Sequence, residues 1–155
     1  MEYGLENLLS WQRSQQFAIF VCKSVLPLLP EHEKYALVNQ LRRAAQSIPA
    51  NIAEGHGRFY YQECVHFAYI ARGSLEETYS HLSFAFQMGY LSQDMYAKLQ
   101  NDMSELNRLI NGFINYLKQS KRSISEPKEP YTVSTNDERL SNFNDDFGFG
   151  SSTEI

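Results

Sequence analysis

Apolar side chains recur at spacings of three and four residues through most of the first 122 residues. That spacing is typical of helices that bury one face. Proline or glycine interrupts the pattern between successive stretches and marks the breaks between helices. The pattern predicts four helices, over residues 10–28, from residue 31 or 33 to 55, over 60–87, and from 92 to at least 117.

The first predicted helix begins at Ser10, whose hydroxyl suits an N-cap, and ends near Pro27 and Pro30. Its apolar stripe consists of Trp11, Phe17, Ala18, Val21, Val25 and Leu28. The charges of Glu31 and Glu33 suit the N-terminus of a helix, so we expect the second helix to start at one of them. Pro49 lies inside that second helix and predicts a kink, because it removes a backbone hydrogen bond.

The fourth stretch has the most regular spacing. Its apolar positions are Met95, Leu99, Met103, Leu106, Ile110, Phe113 and Leu117, which form a bundle seam. Ser92 stands where a capping hydroxyl is expected. Because the connections between the predicted helices are short, sequential helices must lie antiparallel. The sequence therefore predicts an all-α fold, an antiparallel up-and-down four-helix bundle over residues 1–122.

Residues 123–155 have a different character. They are rich in Ser, Pro, Asn, Gly and acidic residues without a helical period, which predicts a flexible tail. The tail carries a net charge of −5, whereas residues 1–122 carry +1. Phe143, Phe147 and Phe149 lie among its acidic residues. Two interpretations remain open: a solubilising tail, which we favour, and a linear motif that docks on a partner.

A membrane or secreted protein is not expected from this sequence. The longest apolar run covers residues 17–22, far short of the roughly 20 residues that a membrane span needs. The N-terminus lacks the basic-then-apolar order of a signal peptide. Cys22 and Cys64 fit a reducing compartment in which they pack as small hydrophobic side chains. We therefore expect a soluble, cytoplasmic protein.

No set of residues predicts an enzyme active site, a cofactor or a metal centre. The histidines have no partners at metal-ligand spacing: His32, His56, His66 and His81. Cys64 and His66 are two residues apart on a predicted helix, which separates them by about 200° around its axis. Ser74 has no recognisable histidine and aspartate partners. We expect a protein without catalytic residues.

The main polar cluster of the bundle consists of Arg42, Arg43, Asn51, Glu54, Arg58 and Arg72. Glu54 and Arg58 stand four residues apart with the acid first, the favourable order for a helical ion pair. One interpretation is a structural polar network around Pro49. The other is phosphate or nucleic-acid contact, because arginine forks match phosphate oxygens. We favour the structural interpretation, because Glu54, Glu76 and Glu77 are able to neutralise the arginines.

Several apolar side chains lie off the predicted core stripes. At about 100° per residue, Tyr69 and Phe84 fall roughly 160° and 140° from the stripe of the third helix. Ile19 and Phe20 lie similarly off the stripe of the first helix. Apolar residues on outward faces indicate a protein interface, and base stacking is the competing interpretation. Lysine is sparse here, so we expect these four residues to form an interface between copies of the chain.

The segment QLRRAAQSIPANIAEGHGR, residues 40–58, closely resembles the signature of the bacterial four-helix bundle protein family, often encoded by intervening sequences in large-subunit ribosomal RNA genes. The segment IARGSLEETYSHL, residues 70–82, and the later GYLS, residues 89–92, continue the resemblance. Trp11 stands where the family has its early tryptophan. The resemblance covers about residues 5–120.

This resemblance implies an antiparallel four-helix bundle that assembles as a homopentamer and has no demonstrated enzymatic activity. A distant relative is the accessory variability determinant of diversity-generating retroelements, a pentameric partner of a reverse transcriptase that contacts nucleic acid. Two features depart from this: the bundle is near neutral rather than strongly basic, and the acidic, phenylalanine-containing tail is not part of the family pattern.

Two functional hypotheses follow. The first is a non-enzymatic oligomeric scaffold or adaptor that presents bundle surfaces to a protein partner. The second is a nucleic-acid-binding accessory factor, for example a pentamer associated with a reverse transcriptase. A net charge of +1 attracts nucleic acid weakly. An oligomer would nevertheless gather Lys118, Lys121 and Arg122 into a basic ring. We favour the scaffold.

Overall fold

Four long helices make up most of residues 4–120, the part of the chain that the computed structural model describes. They are α1 (Leu9–Phe20), α2 (Leu37–His56), α3 (Tyr61–Gln87) and α4 (Gln93–Ser120). The connection between α2 and α3 and that between α3 and α4 are short, so each helix returns along its predecessor. The predicted all-α four-helix bundle is confirmed. The tail, Lys121 and Arg122 lie outside the described residues.

The antiparallel order is visible in the side-chain contacts between neighbouring helices. Ser47, in the middle of α2, meets Ser74, in the middle of α3. Phe86, at the end of α3, stacks on Tyr96, at the start of α4, with ring centroids 4.3 Å apart. Arg13 of α1 pairs with Glu105 of α4 at 3.6 Å.

One hydrophobic core runs through the bundle and takes residues from every helix. Its fully buried members include Val21, Leu41, Ile52, Leu82, Leu99 and Ile110. Each fully buried side chain of this size contributes about 1.5–3 kcal/mol through its removal from water. Core burial of this kind, more than helix propensity, stabilises such helices.

The C-terminal end of the first helical segment differs from the prediction. A π-helical turn, Val21–Val25, follows α1, and a short 3₁₀ helix, Leu26–Leu28, follows that turn. The amide of Leu26 bonds to the carbonyl of Val21, five residues back, so the wider turn shifts the later side chains around the axis. Leu26 and Leu29 are therefore buried, and the predicted stripe residue Leu28 is 48% exposed.

Helix α2 starts at Leu37, later than predicted, and Glu31–Glu33 form a separate 3₁₀ turn. Glu33 still serves the start of α2, because its carboxylate accepts a hydrogen bond from the Leu37 amide at 3.3 Å. The prediction that an acidic residue serves the N-terminus of this helix is thus correct for Glu33. Glu33 lies before the helix, however, and not within it. α2 then continues through the buried Pro49 to His56.

The two predicted N-cap serines have different outcomes. Ser92 caps α4: its hydroxyl accepts a hydrogen bond from the Met95 amide at 3.2 Å. Ser10 is not the cap of α1, which begins after Leu8, and its hydroxyl is buried without a hydrogen-bond partner among the described residues. Ser10 therefore lies buried inside the first turn of α1 and does not act as its N-cap.

The seam of α4 is also shifted slightly from the prediction. Leu99, Met103, Leu106 and Ile110 are buried as expected, and Tyr96 and Ile114 join them. Met95, Phe113 and Leu117 are only partly buried against this core. The stacking of Tyr96 on Phe86 explains why the aromatic residue, rather than Met95, turns inward.

Candidate interaction surfaces

A short polar ladder joins α2 to α3 in the segment that resembles the family signature. The hydroxyl oxygens of Ser47 and Ser74 lie 2.9 Å apart. The amide nitrogen of Asn51 donates to both the carbonyl and the hydroxyl of Ser47, each at 2.8 Å. Thr78 continues the ladder with a bond to the Ser74 carbonyl at 2.7 Å. Asn51 is thus used inside the bundle, where it satisfies half-buried groups.

One turn further, α2 and α3 approach closely at Gly55. A Cβ at this position would lie 3.0 Å from the Cβ of Phe67 and 3.1 Å from the Cys64 carbonyl. Only glycine fits without displacement of α3. The small and polar side chains of this segment therefore hold two helices together.

The predicted polar cluster is divided among separate contacts. Within residues 4–120, the only members bonded to each other are Glu54 and Arg58, which form an ion pair on the surface. Arg72 reaches across to α4 and donates to Asn111 at 3.2 Å. Arg42 and Arg43 are exposed. Within residues 4–120 the predicted single network is not formed, because its members are spread along α2, the turn after it and α3, with Arg42 and Arg58 sixteen residues apart.

The four predicted interface residues also fall in two classes. Ile19 and Phe84 are about half-exposed, as expected. Phe20 and Tyr69 are partly buried against the chain's own core. Long side chains from α4 contact both of them: Lys98 lies 4.1 Å from the Phe20 ring centroid, and Lys118 donates a hydrogen bond to the Tyr69 hydroxyl. A helical wheel shows one helix alone and therefore omits side chains from neighbouring helices. The interface between copies of the chain stays a prediction.

One end of the bundle carries exposed aromatic side chains that the sequence analysis missed. Phe59 is 91% exposed, Tyr60 63% and Tyr116 65%. They lie where α2 ends, α3 begins and α4 ends. A cavity of about 290 Å³ opens at this end, with walls that include Leu8, His56, Cys64, Phe113, Tyr116 and Leu117. The run Phe59-Tyr60-Tyr61, two residues after the helix-ending Gly57, was the available signal in the sequence.

Cys64 in this cavity is held in its thiol form. Its Sγ lies 3.3 and 3.4 Å from the carbonyls of Tyr60 and Arg58, and its single proton is shared between these two acceptors. Burial raises the pKa of the Cys64 thiol. The thiolate, not the thiol, is the reactive nucleophile, so this environment does not activate Cys64.

The outer groove between α3 and α4 gathers basic side chains around one aromatic ring. The guanidinium carbon of Arg72 lies 4.9 Å from the Tyr69 ring centroid, and the Lys118 ammonium lies 5.2 Å from it. The same ammonium donates to the Tyr69 hydroxyl at 2.6 Å. Two members of different predicted sets, Arg72 and Lys118, thus meet at Tyr69. The other predicted ring members, Lys121 and Arg122, lie outside the described residues.

Two structural searches of residues 4–120 gave negative results. No three histidine, cysteine, aspartate or glutamate side chains are grouped closely enough there to hold a metal ion. In the same residues, no helix has both the length and the apolar character that crossing a membrane requires.

Comparisons with known proteins give the family. The sequence description of the 23S rRNA-intervening sequence protein family matches residues 6–112. No curated protein matches the chain. A solved structure from Bacteroides thetaiotaomicron, described as a protein of unknown function from the S23 ribosomal protein family, is similar with a TM-score of 0.63 and 24% identity.

That similarity covers 68% of this chain and 98% of the Bacteroides chain. At this identity the likeness supports the fold alone, and the printed description of the Bacteroides protein gives no activity. The family match, by contrast, spans more than half of the chain and includes the Ser47 ladder and the Gly55 contact. The chain therefore belongs to the 23S rRNA-intervening sequence protein family.

Proposed function

We propose that this protein is a non-enzymatic, oligomeric scaffold or adaptor that presents a bundle end to a protein partner. The observation that carries the proposal is the exposure of Phe59, Tyr60 and Tyr116 beside an apolar cavity. Large exposed apolar patches mark interaction sites, and aromatic side chains are enriched in protein interfaces. We expect the partner to contact this end of the bundle with apolar side chains.

Self-association would use the sides of the bundle rather than this end. Ile19 and Phe84 lie about half-exposed on α1 and α3, away from Phe59 and Tyr60 along the chain. A homo-oligomer built on the sides would repeat the aromatic end once per copy. Such repetition strengthens partner binding through effective concentration. The pentamer implied by the family resemblance is the assembly that we expect.

Light scattering at micromolar concentration tests the assembly. We expect a mass several times that of the 17.9 kDa chain. The double substitution Ile19→Ser and Phe84→Ser should reduce this mass, since both side chains are exposed in the single chain and their loss leaves the core intact. A monomeric wild type would contradict the proposal.

The partner surface needs a separate test. Crosslinking in the native cells, followed by mass spectrometry, should identify a partner whose crosslinks are lost in a triple serine variant of Phe59, Tyr60 and Tyr116. A matched control replaces three exposed apolar residues near the other bundle end: Leu28, Tyr35 and Met88. Equal losses in both variants, with the oligomer intact, would refute this docking surface.

A nucleic-acid-binding accessory role is the second candidate. The observation that favours it is the absence of ion-pair partners, within residues 4–120, for Arg42, Arg43, Arg72 and Lys118. Unpaired cations are available to phosphates, which supply most of the affinity for nucleic acid. Titration of labelled RNA and DNA at two salt concentrations tests this role, and we expect binding that weakens steeply with salt.

A further inference from the structure

Arg72 and Lys118 share a single aromatic neighbour, and this brings two positive charges close together. Their charged heads lie 4.9 and 5.2 Å from the Tyr69 ring centroid, so they are separated by no more than about 10 Å. Like charges at this distance repel each other. The Tyr69 ring offsets part of the repulsion through cation–π contact.

No carboxylate completes this arrangement in the described part of the chain. The ion pairs of residues 4–120 involve other cations: Arg13, Lys34, Arg58, Lys98 and the two histidines His32 and His81. Glu76 stands one turn after Arg72 on α3 but makes no ion pair with it. Within residues 4–120, Arg72 and Lys118 therefore have no ion-pair partner.

Neutral side chains hold the two cations in place. Asn111 accepts a hydrogen bond from Arg72 at 3.2 Å, and its own amide donates to Asn107 at 3.2 Å. Lys118 is held by the Tyr69 hydroxyl. A guanidinium has five N–H donors, so most of those of Arg72 remain for a ligand. Arginine matches phosphate oxygens with two parallel bonds, and lysine adds a point charge.

We propose that the α3–α4 groove at Tyr69, Arg72 and Lys118 is a binding site for phosphate groups of a nucleic-acid backbone. The inference rests on the second candidate function and names its site. Arg72 clamps one phosphate, and Lys118 contacts the same or the neighbouring phosphate. Tyr69 positions both cations, Arg72 through its ring and Lys118 through its hydroxyl. The site thus recognises the charge of the phosphate backbone and does not distinguish base sequences.

The test uses the full chain and single-stranded RNA of about 16 nucleotides, with fluorescence anisotropy at about 50 and 200 mM salt. The double variant Arg72→Gln and Lys118→Gln should bind about tenfold more weakly or worse. Its plot of log affinity against log salt should be shallower by about one to two. Glu76→Gln, which removes the nearest acidic residue on α3, should strengthen binding.

The matched control is Arg13→Gln with Lys23→Gln, which removes one arginine and one lysine from exposed positions outside α3 and α4. We expect this control to change the affinity less than about twofold. Inorganic pyrophosphate should compete with RNA for the wild type, as expected for a site that recognises phosphate alone.

The outcomes separate the site from the function. RNA binding that falls equally in both double variants would overturn this site and leave the nucleic-acid role standing. Absence of RNA binding by the wild type at the lower salt would overturn both. A selective loss in the Arg72 and Lys118 variant, with unchanged thermal unfolding, would support both.

Discussion

The Cβ of Phe67 lies so close to Gly55 that a Cβ built on the glycine would stand 3.0 Å from it. The Cys64 carbonyl, on the same helix as Phe67, would stand 3.1 Å from the added atom. This carbonyl belongs to the backbone of α3 and does not rotate away. The distance between α2 and α3 at this end of the bundle is therefore set by the missing side chain.

Gly55→Ala should destabilise the protein. We expect a loss of about 1–2 kcal/mol in the free energy of unfolding, because the cost of overpacking exceeds the gain in helix propensity. Gly112→Ala is the matched control, since nothing lies within 4 Å of a Cβ at this position in α4. That control should stabilise the protein by about 0.5–1 kcal/mol. Chemical denaturation measures both, and equal effects would contradict the packing argument.

Ser74→Ala should cost about 0.5–1.5 kcal/mol for each hydrogen bond that is lost. The Ser74 hydroxyl bonds to the Ser47 hydroxyl and donates to the Ile70 carbonyl at 3.1 Å. Ser47 keeps its bond from Asn51 in that variant, so the loss should stay at the lower end of this range. A double-mutant cycle with Ser47→Ala isolates the interaction of the two hydroxyls. A coupling energy near zero would show that the 2.9 Å contact does not stabilise the bundle.

Glu54→Ala should change the stability by less than about 0.5 kcal/mol, as expected for an exposed ion pair one turn apart. The side chains of Glu54 and Arg58 are 48% and 41% exposed. The effect should decrease further in high salt, because exposed charges are screened. Thermal unfolding at two salt concentrations measures it. A loss of several kcal/mol would place the pair in a buried network, contrary to the structure.

Tyr90→Phe should reduce the loss of stability at alkaline pH. Burial, followed by the hydrogen bond to Glu33 and the charge of that residue, raises the pKa of Tyr90 above its usual value of 10.0. The folded state therefore keeps this proton at pH values where the unfolded chain releases it. The stabilisation is complete below pH 10 and is lost as the pH rises beyond it. Unfolding curves of the two proteins that decline in parallel above pH 10 would contradict this role.

Local signals in the sequence were sufficient for the number of helices and for several of their ends. Gly57 after α2 and the capping serine before α4 act within a few residues, so their effects are readable without a structure. Pro49 was also correctly kept inside α2. The start of α2 and the stripe after Val21 were not readable. Both depend on packing against other helices.

The candidate surfaces were harder to predict from the sequence than the helices were. Tyr69 and Phe20 were predicted to face outward, but both are partly buried and are contacted by lysines of α4. The meeting of Arg72 with Lys118 joins residues 46 positions apart in the chain, and nothing in either local segment indicates it. The aromatic end was visible as a run of three rings, but its exposure depends on how three helix ends meet.

By itself the sequence determined the helical period, the breaks between helices and hence the bundle, because these follow from hydrogen bonding and apolar burial between near neighbours. The tertiary structure alone decided which polar residues meet. Gly55 packs against Phe67 of α3. Arg72 and Lys118 meet at Tyr69 in the groove between α3 and α4. Side chains from different helices come together only when the core fixes the rotation and the height of each helix.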